Sequence, residues 1–288
     1  MPGAKFKRQA AVWHQHVMDM THVPFAAVKR GVAEGSAAPS VVSALLRQFD
    51  DSEDKTRIEG VIRDMAATAY AGGADTSVSL TGTFISAILL HPDVQRKAHA
   101  ELDRVLGQDR LPTLEDQPKL PYVTAILREG MRWRPVVPLA VPHALLKDDE
   151  YFGYHLPAGA IVIGNAWAIL HDEARYPDPD IFNPDRFIAL DGGLDLNVPN
   201  PEEFAFGFGR RICPGRHLAS NSAWLALASI LAVFELELPI DEFGREIKPS
   251  GEYTPGLIVY PLPFKCKFKP RSVKAEALIR ASAAETEL

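Results

Sequence analysis

Cysteine is scarce in this chain. Among 288 residues there are two, Cys213 and Cys266, too few and too far apart for a disulfide framework, which suits a reducing compartment. Two thiols also fall short of the roughly four ligands of a structural zinc site. Long apolar runs are missing as well. A membrane-spanning helix needs about 18 or more apolar residues in succession, and the most apolar stretch, 223–234, is shorter. The opening Met1-Pro2-Gly3-Ala4-Lys5-Phe6-Lys7-Arg8 has basic residues with no apolar segment behind them, so it does not read as a signal peptide. Positive charge is outweighed, 31 Lys and Arg against 37 Asp and Glu for a net charge of −6, which argues against a nucleic-acid partner. No internal repeat is visible.

What is present is a core-forming composition, 47% apolar, enough for one large domain or two small ones. The most distinctive stretch is Phe206-Gly207-Phe208-Gly209-Arg210-Arg211-Ile212-Cys213-Pro214-Gly215. Cys213 stands just ahead of an apolar helical pattern, 216–234. The unpaired N–H groups and positive dipole end of such a helix favour an anionic sulfur. Gly209 and Gly215 let the loop turn tightly and lie close to a flat ligand. Arg210 and Arg211 offer fixed positive charge to carboxylates. These features read as a site for a metal-bound thiolate; the plainer alternative is a buried cysteine in a glycine-rich turn. A dinucleotide fingerprint does not fit, because Ile212 stands where its third glycine belongs. Cys266 lies in the alternating run Phe264-Lys265-Cys266-Lys267-Phe268, a strand pattern with one buried face, and reads as packing.

The spacing Phe-x-x-Gly-x-Arg-x-Cys-x-Gly, met by Phe206, Gly209, Arg211, Cys213 and Gly215, resembles the haem-binding loop of the cytochrome P450 family. The resemblance implies haem b with Cys213 as the axial iron ligand, Arg211 against a propionate and Phe206 beside the sulfur. A second match lies in the middle of the long helical pattern 55–90. The paired Gly72 and Gly73 there cost about 1 kcal/mol each relative to alanine. One reading is compensation by a ligand against bare backbone, and the other is a helix kink capped by Asp75 and Thr76. Gly72, Gly73, Asp75, Thr76 and Ser77 are similar to the family's oxygen-activation motif, which implies that Asp75 and Thr76 relay protons to the oxygen site. Glu129-Gly130-Met131-Arg132 matches the family's Glu-x-x-Arg. Asn183-Pro184-Asp185-Arg186-Phe187 resembles its Pro-Glu-Arg-Phe segment, with Asp185 in place of the glutamate. Together these imply a buried network of Glu129, Arg132 and Arg186 that fixes the loop leading to the haem. His143 stands where members often present His or Arg to a propionate; on the residues alone a strand-surface histidine serves equally.

The chain in order predicts a mainly α protein with small β-sheets, the architecture the resemblance implies. Residues 4–20 read as a helix that 21–24 interrupts, with a second helical stretch to about 33. His14, His16 and His22 are surface or packing residues on this pattern, since positions two apart point away from each other on a helix. Further helices are expected over 41–49, 55–90, 94–106, 119–133 and 216–234, with helical turns near 113–116 and 165–170. Strands are expected at 160–164, 235–240 and 257–268, with a hairpin over 147–155 centred on Asp148-Asp149-Glu150. The resemblance places 136–141 along a substrate pocket and makes Gly256-Leu257-Ile258 the turn that closes it. Residues 1–270 are expected to form one partial domain of the family and 271–288 a frayed tail.

The resemblance covers only the later part of the family's fold, so the N-terminal part is expected to be missing. Trp13 is followed at the fourth position by Val17, so the propionate-holding Trp-x-x-x-Arg motif is not supplied here. The function implied is that of a haem-thiolate monooxygenase of fungal microsomal type. It would insert one atom of O2 into a small apolar substrate with electrons from NADPH–cytochrome P450 reductase. A full-length relative would sit on the cytosolic face of the endoplasmic reticulum membrane, whereas this chain reads as having no span of its own. A haem-thiolate isomerase or dehydratase is disfavoured by the Asp75-Thr76 pair. A non-catalytic fragment that binds haem weakly or not at all stays open.

Overall fold

The computed structural model describes residues 5–286. The chain divides into two compact units at Ala74/Asp75. In the first, α1 (Lys5–Glu34) and α2 (Val41–Gln48) precede the start of α3 (Lys55–Leu90). Helix α1 is continuous through Pro24, where an interruption is expected from the sequence. One proline removes one bond of the ladder, and the flanking residues keep the helical pattern. Helix α2 starts at a capping box in which the Ser40 and Ser43 side chains bond each other's backbone N–H groups, satisfying two orphan donors of the first turn. Lys29 and Glu59 meet at 2.6 Å.

The second unit is built on the later part of α3 with α4 (Pro92–Leu106), α5 (Pro121–Trp133) and α8 (Arg216–Val233). Their apolar positions recur at helical spacing and close into one core: Phe84 and Ile88, Val94 and Leu102, Val123 and Ile126, Trp224, Leu227 and Leu231. Trp224 donates its indole N–H to the Thr124 hydroxyl at 3.0 Å, tying α8 to α5 inside that core. The start of α5 is held from a neighbouring helix. The buried Glu101 carboxylate on α4 accepts the N–H groups of Tyr122 and Val123 at 3.0 and 3.1 Å, a charge placed where the helix dipole favours it.

Between α5 and α8 lie β1 (His143–Ala144), β2 (Asp149–Tyr151), β3 (Tyr154–Leu156), β4 (Ile161–Val162), α6 (Ala166–Leu170) and α7 (Glu202–Ala205). After α8 come β5 (Phe234–Glu237), β6 (Lys267–Pro270) and α9 (Val273–Thr286). Strand β1 pairs with β4, β2 with β3 and β5 with β6, each antiparallel. The molecule is therefore mainly helical with small antiparallel sheets.

Four further local expectations differ from the structure. The hairpin turns at Phe152-Gly153, both in the left-handed region at φ 51° and 80°; that is the conformation a two-residue hairpin loop demands, and phenylalanine gives no hint of it. Within 257–268 a regular strand starts only at Lys267, with an isolated bridge of Pro261 to Tyr253 before it, because Pro261 and Pro263 interrupt the ladder donors. Residues Val273–Thr286 are helix rather than frayed tail. The Ser272 hydroxyl caps the Ala275 N–H at 3.1 Å, Ala275 is buried, and Arg271 reaches Asp103 at 2.6 Å. Helix α3 is also long and apolar enough on average to cross a membrane, although 44% of its most apolar window is buried inside the protein, as in a core helix.

Candidate active site

The tightest constellation in the second unit surrounds Glu129 and Arg132, one turn apart on α5 and both fully buried. Arg132 donates Nε to Glu129 Oε2 at 2.7 Å and Nη2 to Oε1 at 2.9 Å. Its remaining donors reach the carbonyls of Leu170 at 3.1 Å and Ile181 at 3.3 Å. The Glu129 carboxylate also accepts the Asn183 N–H at 2.8 Å and Arg186 Nε at 3.2 Å. Arg186 bonds the carbonyls of Pro177, Asp178 and Ile181 as well. Asp178 is held there at φ 51°, a region that Asp tolerates better than most residues. The three side chains thus pin the irregular segment 177–187 to α5. The Tyr176 ring adds an apolar wall, its centroid 5.6 Å from the Arg132 guanidinium. Every charge in this cluster is matched by hydrogen bonds, which is the condition for tolerating buried ions.

Helix α7 leads into the loop that carries Cys213. Gly207 and Gly209 adopt φ 81° and 59°, so the chain doubles back on itself where a side chain would be strained. The Cys213 N–H donates to the Phe206 carbonyl at 2.8 Å and closes the loop. Phe206 packs against the main core. Gly215 is the N-cap of α8, and a Cβ built on it would lie 3.8 Å from Cys213 Sγ. Cys213 is a half-buried free thiol, while Arg210 and Arg211 are exposed beside it. Cys266 packs against the core, and burial pushes its thiol up to about 11. The two cysteines are therefore chemically distinct, one at a glycine-lined loop and one inert in packing.

Sequence reasoning missed how this loop is seated. A Cβ on Gly164, just beyond β4, would come within 2.5 Å of the Phe208 ring. Only glycine leaves room for that ring, with Ala140 as the next neighbour on the same side. The available signal was Gly164 itself, a glycine ending a strand pattern.

His143 is exposed on β1, in register with Val162. Asp75 and Thr76 are consecutive on α3 and Asp75 is exposed. The Tyr260 phenol is pushed up by burial and then by the negative charge of nearby Asp75, a neighbour the sequence did not suggest. Gly72 and Gly73, in the first unit, lie within unbroken helix, and beyond the local helix backbone a Cβ on either would meet nothing within 4 Å among the described residues.

The donor set suits a metal that brings its other ligands with it. Among the described residues no group of three His, Cys, Asp or Glu side chains could hold a bare ion. A single accessible sulfur, left-handed glycines and exposed arginines fit a flat, anionic macrocycle carrying its own metal. These features are what a loop holding a haem through one cysteine requires. The family model for cytochrome P450 matches residues 7–268, and the chain belongs to the cytochrome P450 family, whose cofactor is haem. It is 50% identical over 280 residues to Cytochrome P450 monooxygenase 98 of Postia placenta, a match that covers 96% of this chain and 54% of that protein. It is 44% identical to Cytochrome P450 monooxygenase claR of Ampulloclitocybe clavipes, over 97% of this chain and 51% of that one. Tryptamine 4-monooxygenase of Psilocybe cyanescens is 42% identical over 94% of this chain and 54% of its own length. The chain spans about half the length of the curated relatives it matches.

Proposed function

We propose that the chain carries the haem-ligating part of a monooxygenase that inserts one atom of O2 into a small apolar organic substrate. The cofactor is haem b, and electrons come from NADPH through NADPH–cytochrome P450 reductase at the cytosolic face of the endoplasmic reticulum membrane. The observation that carries this reading is the Cys213 loop: a half-buried free thiol between glycines at the head of a helix whose far face is core. Bound haem supplies oxygen-activating chemistry, and a cysteine ligand pushes electron density that favours O–O cleavage.

The residues divide the remaining work. Cys213 holds the iron, with Phe206 beside the sulfur. Arg211 and His143 pair with the propionates, and Gly209 and Gly215 let the loop approach. Gly72 and Gly73 are carried over from the family motif as positions of bare backbone. Asp75 and Thr76 hold and pass protons to the oxygen side. Glu129, Arg132 and Arg186 keep the segment ahead of the loop in place. The test is to load the protein with haem, reduce it under CO and record its spectrum, then supply reductase and NADPH. A thiolate-type band followed by oxygenated product is expected. Stoichiometric haem without that band would remove Cys213 as ligand and the reading with it.

A further inference from the structure

Helix α5 ends at Arg134 because Pro135 follows it. A proline pushes the residue before it out of helical backbone. Arg134 stands at φ −139° and ψ 76° as the C-cap, its N–H still on the Gly130 carbonyl at 3.2 Å. Its side chain leaves the helix among three aromatic rings. The guanidinium carbon lies 4.4 Å from the Trp133 ring centroid, 5.6 Å from that of Trp167 and 5.5 Å from that of Tyr253, each within cation–π range. The rings come from three parts of the chain, and each is held in place. The Trp133 indole N–H donates to the Asp180 carbonyl at 2.8 Å. Trp167, on α6, donates its backbone N–H to the Pro138 carbonyl at 2.8 Å. Tyr253 lies in a hairpin closed by Leu262 N–H to the Glu252 carbonyl and Thr254 N–H to the Tyr260 carbonyl, both at 2.8 Å. Its hydroxyl meets the Thr83 hydroxyl of α3 at 3.3 Å.

Rings satisfy the faces of a guanidinium, whereas its N–H donors point outward in its plane. Among the described residues the Arg134 side chain makes one hydrogen bond, from Nη1 to the Trp133 carbonyl at 3.2 Å. It is also the one cation lining a cleft of about 370 Å³, walled by Pro138, Trp167, Tyr253 and Val259, with Asp180 as the cleft's other charge. That volume lies within the range of small-molecule sites, and apolar walls with few polar groups are their usual make-up. Burial pushes the Arg134 guanidinium down more than Tyr253 and Asp180 raise it, as expected of a cation short of counter-charge. A carboxylate would supply that charge and accept two parallel N–H bonds from the fork. Asp180 sets a limit, because a doubly charged phosphate would meet its repulsion more strongly than a single carboxylate would. We propose that this cleft binds a small, flat monocarboxylic acid, its carboxylate on Arg134 and its apolar body against Trp167, Pro138 and Val259. None of Cys213, Arg211 and His143 lines the cleft, so the site stands apart from the haem reading and does not depend on it.

The probe is naphthoate, titrated by calorimetry into the purified full chain, with naphthamide and naphthylphosphonate as its neutral and doubly charged matches. Naphthoate is expected to bind with a Kd below about 1 mM, and the other two at least about 10-fold more weakly. Arg134→Met keeps an apolar stem and removes the fork. It should weaken naphthoate by about 10- to 100-fold and leave naphthamide unchanged. Asp180 is exposed, so Asp180→Asn gives a second arm that holds even if Arg134→Met does not fold. Losing that negative charge should tighten naphthoate by about 3-fold and the phosphonate by more. In haem-loaded protein, naphthoate should bind without moving the haem absorption bands. The proposal is overturned if naphthoate does not bind below that limit, or if the amide or phosphonate binds as tightly. It is equally overturned if a folded Arg134→Met binds like the wild type, or if Asp180→Asn brings no tightening. A naphthoate-induced shift of the haem bands would place the ligand at the iron and overturn it as well.

Discussion

Glu129 and Arg132 bond each other through two parallel hydrogen bonds of 2.7 and 2.9 Å with no exposed side-chain surface on either partner. Removing one leaves the other charged in a dry environment, which costs about 3–5 kcal/mol. Glu129→Ala and Arg132→Ala are each expected to lose that much in urea unfolding. Arg186→Ala, at the rim of the cluster, is expected to lose less, about 1–3 kcal/mol. The double variant Glu129→Ala/Arg132→Ala should cost less than the sum of its singles, because neither charge is then stranded.

Cys213 and Cys266 give a matched pair of controls. Cys213 is half-buried in the glycine loop, whereas Cys266 packs on the core with its thiol pushed up to about 11 by burial. Cys213→Ser is expected to abolish the thiolate signature of the reduced, CO-bound protein, and Cys266→Ser to leave it. An unchanged spectrum in Cys213→Ser would falsify the ligand assignment.

Thr76 stands next to Asp75 on α3, in the same sequence motif. Thr76→Ala should retain haem and its CO spectrum while diverting electrons from product to hydrogen peroxide, since a proton-passing hydroxyl is gone. Simultaneous assay of NADPH consumed, peroxide released and product formed decides it. Tight coupling in the variant would end the relay role of Thr76.

How much of this was legible in advance depended on whether the signal was local. Helices α3, α4, α5 and α8 were readable because their apolar spacing and Pro or Gly boundaries lie within one segment. The Glu129-x-x-Arg132 pair was readable as a motif, but its depth was not. That depends on carbonyls of Leu170 and Ile181, which no local pattern announces. The Phe152-Gly153 turn was misplaced because phenylalanine at positive φ is chosen by the hairpin and not by its own preference. Helix α9 was not legible although Ser272 is a standard N-cap residue, because what holds it, Ala275 in the core and Arg271 on Asp103, is long-range. The Trp224–Thr124 bond joins distant parts of the chain and required the fold.

His99 on α4 supplies a test in pH. The residue is 8% exposed, and its Nε2 meets no hydrogen-bond partner among the described residues. Burial, and then the positive charge of Arg271, push its pKa from 6.5 down to about 4; a backbone hydrogen bond at Phe234 and the charge of Asp103 oppose this more weakly. The folded protein therefore keeps His99 neutral where the unfolded chain has already taken up a proton. The unfolded state binds more protons between those two values, so stability falls as pH drops from 6.5 towards 4 and is flat above 6.5. One shifted group of this size contributes ~2–3 kcal/mol across the window. His99→Gln cannot take up that proton. Urea unfolding at pH 7.5 and pH 4.5 should show the wild type losing about 2 kcal/mol more than the variant on acidification, the carboxylates common to both cancelling in the difference. Parallel losses in the two proteins would mean that His99 is accessible to protons in the folded state, and the burial argument for it would fail.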